Sequence, residues 1–549
     1  MAALLSLLAL SSPALAKIHA NVPSSINTKG PQTLVDDLLI GQPLDGFVSF
    51  SIEFASFPDF AGNKSHPNKF SNNLLDNLGD LAGTKPYIRV GGNTQDFPIY
   101  SPNLTVGLKG TVNETKSPDY PTAIEIGPKF FESYTTFPRT KFSYGFNLGG
   151  NNYSADVLRN TLEETTKLAC KTLGDNLYLW EYGNEPDLFS TQEFPVRPSN
   201  YNESDWVAEW LNGTRFIESI LQEHCPSLLK HGKYGYLAPS FAGVGNHLKA
   251  PRAWADGLNA DGTVRYYSTH NYISGANVLG VTLQGTLMNH TSTKVSVDAH
   301  VNEFNSITNK SSNLVQIMGE TNSLYNQGKP GLSNSFGAAL WGIDFNLYCA
   351  AVGIGRTHMH MGTNYRYASW QPIATDLESI GTKAPYYGNV AVAAFLGDLR
   401  NTTTKIAHID LTHTNATDGD VNLQAAYAAY VDDSIARIMV VNMRAYNYTL
   451  NGTGDLTTLN PTPRPSRAYS FAVGGLTDGA QVAVRRLYAN GSDAITGITW
   501  DGTSYNYELR LGKPVKLHNV TTGEYVSVMN GAVGVSVPDS QAVVLDFKV

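Results

Sequence analysis

Two glutamates stand out because each closes an apolar run. Leu177, Tyr178, Leu179 and Trp180 lead to Asn184-Glu185-Pro186, and Pro186, which has no N–H, stops a strand ladder from continuing. Further on, Leu314–Met318 is followed by Gly319 and Glu320. Two facing carboxyl groups suit cleavage of a glycosidic bond. One protonates the leaving oxygen while the other stabilises or attacks the anomeric carbon. Either glutamate alone reads equally well as an ion-paired residue at a strand end. Both at the ends of strands in one sheet point to chemistry.

That requires elements that bring the two ends together. Eight short apolar runs read as strands: 47–54, 87–91, 142–147, 177–182, 236–239, 266–271, 314–319 and 353–359. Helical periodicity intervenes, as at 154–173, 206–223 and 336–352. Eight alternating units predict a (β/α)8 barrel over 45–395, with Glu185 ending the fourth strand and Glu320 the seventh. Catalytic groups of such barrels gather at the C-terminal ends of the strands. From 396 to 549 the pattern changes to alternating segments, such as 425–431, 438–442 and 482–488, separated by Asn, Gly, Asp and Thr turns. This predicts an antiparallel β-sandwich, which the segment 17–44 is expected to join.

Composition narrows the class. In 549 residues, 42% are apolar and only 16% charged, as suits a well-buried globular chain of more than one domain. The formal net charge is −8 and Lys and Arg are scattered, which disfavours a nucleic-acid partner. The segment 1–16 is apolar and closes with Ala14-Leu15-Ala16, which reads as a secretory signal lacking the usual basic start, with the mature chain beginning at Lys17. No later stretch is long and apolar enough to span a membrane. Fourteen Asn-x-Ser/Thr sequons, from Asn63 to Asn519, predict N-linked glycans on an extracellular protein. Of the three cysteines, Cys170 and Cys225 lie in or just after helices that flank neighbouring strands and are the favoured disulfide, which leaves Cys349 as a buried thiol in an apolar helix. His358-Met359-His360 puts two imidazoles on one strand face, but further metal ligands are missing nearby, so packing or substrate contact is preferred and no metal is expected.

Asn184-Glu185-Pro186 on strand four with Glu320 on strand seven resembles the large clan of retaining β/α-barrel glycosidases. Within that clan the chain is similar to glycoside hydrolase family 79, of β-glucuronidases and heparanases, over nearly its whole mature length. The resemblance implies Glu185 as general acid/base and Glu320 as nucleophile, with the carboxyl groups about 5–5.5 Å apart and no cofactor. It implies that Asn184 hydrogen-bonds the sugar 2-hydroxyl, and that Tyr272, in His270-Asn271-Tyr272 at the end of strand six, holds the nucleophile. Glu53 would bind outer sugar hydroxyls. Arg89 would support the carboxylates from below, or serve as a structural cation, with His270 a second supporting group. For a glucuronate carboxylate the resemblance implies tyrosine hydroxyls and a backbone amide: Tyr325, the Gln327-Gly328 loop, and Tyr365 and Tyr367, of which Tyr367 is preferred. Arg366 between them would face the other way by strand alternation. The implied substrate is a β-glucuronide, small molecule or glycan, cut from its end. Open alternatives are a heparanase-like endo-β-glucuronidase, a neutral-sugar glycosidase of the clan, and a carbohydrate-binding barrel without catalysis. An endo-enzyme for sulfated chains would need Lys/Arg clusters that this chain lacks.

Overall fold

A computed structural model describes residues 17–26, 32–35, 38–151, 153–230, 234–411, 422–450, 452 and 459–547. The expected signal segment 1–16 and the sequons at Asn152, Asn415 and Asn451 lie outside the described residues.

Eight parallel strands close a barrel: β1 (Val48–Glu53), β2 (Ile88–Gly91), β3 (Phe142–Phe146), β4 (Leu177–Tyr182), β5 (Tyr236–Phe241), β6 (Val264–Gly275), β7 (Val315–Tyr325) and β8 (Thr357–Met361). β8 pairs with β1 to complete the ring. Helices cover the outside, among them Ala155–Leu173, Glu203–His224, His290–Ser306, Phe336–Ala351 and Ala384–Leu396. Glu203–His224 begins with a reciprocal capping box, the Asn202 side chain accepting from the Asp205 amide and the Asp205 side chain from the Asn202 amide. The Cys170–Cys225 disulfide joins this helix to Ala155–Leu173, and Cys349 is a buried free thiol.

One unit departs from simple alternation. After β2 the chain builds a three-stranded sheet from Pro98–Tyr100, Leu108–Thr111 and Ala123–Ile126, then a 3-10 helix at Pro128–Thr135. Several strand limits also moved, among them that of β6, which runs on to Gly275. β7 continues six residues past the expected stop at Gly319, and β8 starts at Thr357, because Gly353 takes a positive φ of 86° at the preceding turn.

The C-terminal part packs a large, chiefly antiparallel sheet, which includes Thr404–Ile409, Gln424–Val431, Ser434–Asn442 and Gln541–Asp546, against a three-stranded sheet. In the smaller sheet Lys17–Val22 lies parallel to Ser466–Val473, and Leu38–Gly41 pairs with Thr404–Ile409 in the larger, so the N-terminal segment contributes to both. Ile40, Ile438, Val440, Phe471, Val535 and Leu545 fill the core between the sheets. Phe336–Ala351 is buried along its whole length between barrel and sandwich, as its apolarity on every face requires. Among the described residues no helix is long and apolar enough to cross a membrane.

Candidate active site

β4 ends in an unusual turn. Gly183 takes a positive φ of 86° and Glu185 a left-handed conformation (φ 52°, ψ 49°) before Pro186. The Glu185 amide donates to the Ser240 carbonyl at 3.0 Å and the Asn184 amide to Asp96 Oδ2 at 2.9 Å, which fixes both side chains at the barrel mouth. The Asn184 side-chain oxygen accepts from Arg89 Nη2 at 2.8 Å, which leaves its amide group directed toward Asn93 at 3.3 Å.

Glu320 stands on β7, and Gly319 before it is required: a Cβ there would lie 2.1 Å from Ser268 Oγ. One Glu320 oxygen accepts from the Tyr272 hydroxyl at 2.7 Å, the other from Arg89 Nη1 at 2.6 Å. Arg89 is fully buried and also donates to Glu181 at 2.7 Å and Ser51 at 3.0 Å. His270 and Tyr272 share a face of β6. His270 Nδ1 lies 2.9 Å from Glu185 Oε1. One donor atom each of Glu185, His270 and Glu320 falls within 4.8 Å of the others. That spacing would also suit a metal ion, but Arg89 already stands at Glu320 as its counter-cation.

The two carboxyls are driven apart in acidity. Burial, then the Glu320 charge, raises Glu185 well above the ordinary carboxyl range. Burial pushes Glu320 the same way but is outweighed by neighbouring positive charge and the Tyr272 hydrogen bond, so it ends low. His270 is itself pushed down to about 4 by burial and is neutral near pH 7, so Arg89 and His360 supply that charge. His360 is raised because the Glu320 and Glu53 charges outweigh its burial.

Glu53 ends β1 and is fully engaged. Its Oε1 accepts from the Thr94 amide and hydroxyl at 2.8 and 2.5 Å, and its Oε2 from the Tyr365 hydroxyl at 3.1 Å. His360 Nε2 lies 3.2 Å from Glu53 Oε2, and His360 Nδ1 lies 3.5 Å from Glu320 Oε2. His360 thus bridges two site carboxylates, whereas His358 faces the Met318 carbonyl, 3.0 Å from its Nδ1. Tyr367 is buried beside Tyr272, ring centres 6.0 Å apart, and hydrogen-bonds its hydroxyl.

Two residues assigned by resemblance, Tyr325 and Gly328, are placed differently. Tyr325 is an odd number of residues beyond Glu320 on a strand that continues to Tyr325, so it projects to the opposite face. Its ring lies over Gly275 and is 45% exposed. The Gly328 amide donates to the Leu324 carbonyl at 3.1 Å and is not available to a substrate. Gln327 forms the turn (φ 60°), its carbonyl accepting from the Arg366 amide. Conversely, Glu181 and Asp96 support the site without having been singled out for it, and His360, expected to pack in the barrel or touch substrate, supports it too. Glu181 left a signal, a charge directly after the apolar run Leu177–Trp180 and within the strand it forms, whereas Asp96 left none.

A cavity of about 540 Å³ opens at Glu185, lined by Phe97, Tyr120, Asn151, Phe189, Gln192 and Phe194 among others.

Comparison with known proteins gives concordant results. Residues 426–544 match the glycosyl hydrolase family 79 C-terminal beta domain. A beta-glucuronidase of Neurospora crassa is 56% identical over 525 residues, covering 92% of each chain. One of Aspergillus niger is 52% identical over 513 residues, covering 92% of this chain and 91% of its own. The solved structure of a 4-O-alpha-L-rhamnosyl-beta-D-glucuronidase from Fusarium oxysporum superposes with a TM-score of 0.73 at 24% identity, covering 96% of this chain and all of that one.

Proposed function

The chain belongs to glycoside hydrolase family 79, and from that premise we propose that it is a secreted, retaining exo-β-glucuronidase. It would release terminal glucuronic acid, or its 4-O-methyl form, from a glycoside or glycan. The observation that carries the reading is the Glu185/Glu320 pair, with oxygens within 4.8 Å and acidities shifted in opposite directions. An inverting enzyme keeps about 6.5–9.5 Å between its carboxyls to admit a water.

The reaction follows from that arrangement. Glu185, protonated at rest, gives its proton to the leaving oxygen as Glu320 attacks the anomeric carbon and forms a glycosyl ester. The ester removes the Glu320 charge, a cause of the raised Glu185 pKa. Glu185, now ionised and easier to keep so, takes a proton from the incoming water, which cleaves the ester. The Asn184 amide group, which donates to Asn93 at 3.3 Å, has a second N–H for the 2-hydroxyl, a contact that strengthens in the transition state. Tyr367, preferred by resemblance, is the phenol we assign to the glucuronate carboxylate, its hydroxyl turning from Tyr272 to the substrate. The names of the relatives at 56% and 52% identity support that choice of sugar.

A panel of 4-nitrophenyl β-glycosides, with the first-formed anomer followed by NMR, tests this directly. We expect the β-glucuronide to be preferred and β-glucuronic acid to appear first. Preference for the β-glucoside, or the α-anomer first, would overturn it. Export is supported by the segment 1–16, the sequons and the disulfide. Intact mass of protein from the culture medium should show an N-terminus at Lys17 and added N-glycans.

A further inference from the structure

Arg89 stands between two carboxylates, of which only one reacts. Its Nη1 donates to Glu320 at 2.6 Å, while its Nε and Nη2 both lie 2.7 Å from Glu181 Oε2. Arg89 and Glu181 are each no more than 1% exposed, so water can meet neither charge. The guanidinium folds back over Gly91, where a Cβ would clash with it. It also donates to two neutral acceptors, Ser51 Oγ at 3.0 Å and Asn184 Oδ1 at 2.8 Å. Glu181 is held as firmly, its Oε1 accepting from Ser240 Oγ at 2.6 Å.

The charge on one side of Arg89 changes during turnover. While Glu320 is ionised, the guanidinium is paired with an acid on both sides. Once Glu320 carries the sugar as an ester, that side faces a neutral oxygen. A buried cation left without a counter-charge is strongly destabilising. Glu181 takes no part in the bond changes and is the acid that stays charged beside it.

We propose that Glu181 is the standing counter-charge of Arg89, which keeps the cation paired through the covalent intermediate and so sets the balance between forming and cleaving the glycosyl ester. It is a positioning residue that acts through Arg89. The proposal rests on the retaining β-glucuronidase reading, because it needs Glu320 as the nucleophile. Two opposite effects follow if Glu181 loses its charge. Arg89 then has Glu320 as its sole ionic partner, and attack must give up that pairing, so the ester forms more slowly. The ester in turn leaves Arg89 unpaired, and cleavage relieves this by returning the Glu320 charge, so the ester is cleaved faster.

The reagent 2-deoxy-2-fluoro-β-glucuronyl fluoride separates the two steps. Its C2 fluorine slows both by opposing positive charge at the anomeric carbon, while the fluoride on C1 leaves readily, so the ester accumulates. Glu320 forms the bond to C1 as the C–F bond breaks and fluoride departs. Water later cleaves the ester and gives its proton to Glu185. Wild type is compared with Glu181→Gln, which keeps the size of the side chain and an oxygen for Arg89. The rate of inactivation is measured, then the rate at which activity returns once excess reagent is removed. The variant should be inactivated at least about tenfold more slowly and recover at least about threefold faster, a fraction of the cost of a stranded buried charge. A merely structural role would slow both steps, so slowing of both, or two rates equal to those of wild type, would overturn the proposal. Glu181→Asp, which sets the charge farther from Arg89, should move both rates in the same directions by less, and is read alone if the Gln protein does not fold. Absence of a sugar ester on Glu320 of wild type, read by peptide mass, would instead sink the retaining β-glucuronidase reading, and the proposal with it.

Discussion

Replacing Glu320 by Gln preserves its shape and its contact with Tyr272 but removes the attacking charge, so turnover of an aryl β-glucuronide should be abolished in a protein that still folds. Glu185→Ala removes the proton donor. It should spare nitrophenyl leaving groups far more than poor ones, and azide should restore turnover, read as a glycosyl azide product. The pH profile follows from the two shifts. Glu320 must be ionised and is held low, so kcat/KM falls as pH drops through its value. Glu185 must be protonated and is held high, so kcat/KM falls again as pH rises through its own. Tyr272→Phe removes a hydrogen bond that favours the Glu320 carboxylate and should move the acid limb to higher pH while leaving the alkaline limb nearly in place. Tyr367→Phe should impair β-glucuronide hydrolysis by roughly 10–100-fold more than β-glucoside hydrolysis, the discrimination lost with one buried hydrogen bond to a charge. Tyr325→Phe should change neither.

Between residue and fold, the limits of sequence reading show most clearly on β7. Thr321-Asn322-Ser323 reads as a loop because three polar residues rarely continue a buried strand. They continue this one because their partners come from elsewhere: the Asn271 and His360 carbonyls and the Ser333 hydroxyl. No local pattern carries that information, and the error displaced Tyr325 to the wrong face. The catalytic strand ends were legible, since Asn184-Glu185-Pro186 and Gly319-Glu320 each interrupt an apolar run. The excursion after β2 was not, because its short strands are exposed and weakly patterned. The disulfide between the helices flanking β4 closes a 55-residue separation, for which chain entropy alone gives roughly 4 kcal/mol. Cys170→Ala/Cys225→Ala should therefore lower the thermal midpoint by several degrees while leaving KM unchanged.

On the scale of the whole molecule, barrel and sandwich share a helix that neither could expose. Phe336–Ala351 is apolar on all sides, and its one acid, Asp344, is held by Tyr427 of the sandwich at 2.6 Å and by His290 of the barrel, whose Nδ1 lies 2.9 Å away. A barrel truncated near 395 should accordingly aggregate, as centrifugation after expression would show. The division into two folding patterns was readable from the change of period near 396. The parallel pairing of 17–22 with 466–473 was not, because nothing local specifies a partner so distant in sequence. Glu185 also bears on this scale. A side chain fixed with φ of 52° is a place where the fold gives up stability for chemistry, roughly 1 kcal/mol for a non-glycine residue. Glu185→Gly and Glu185→Ala lose the same carboxyl, yet only glycine relaxes there, so the Gly protein should melt higher than the Ala protein. The dead enzyme built with glycine would be the sturdier vessel for trapping a bound substrate.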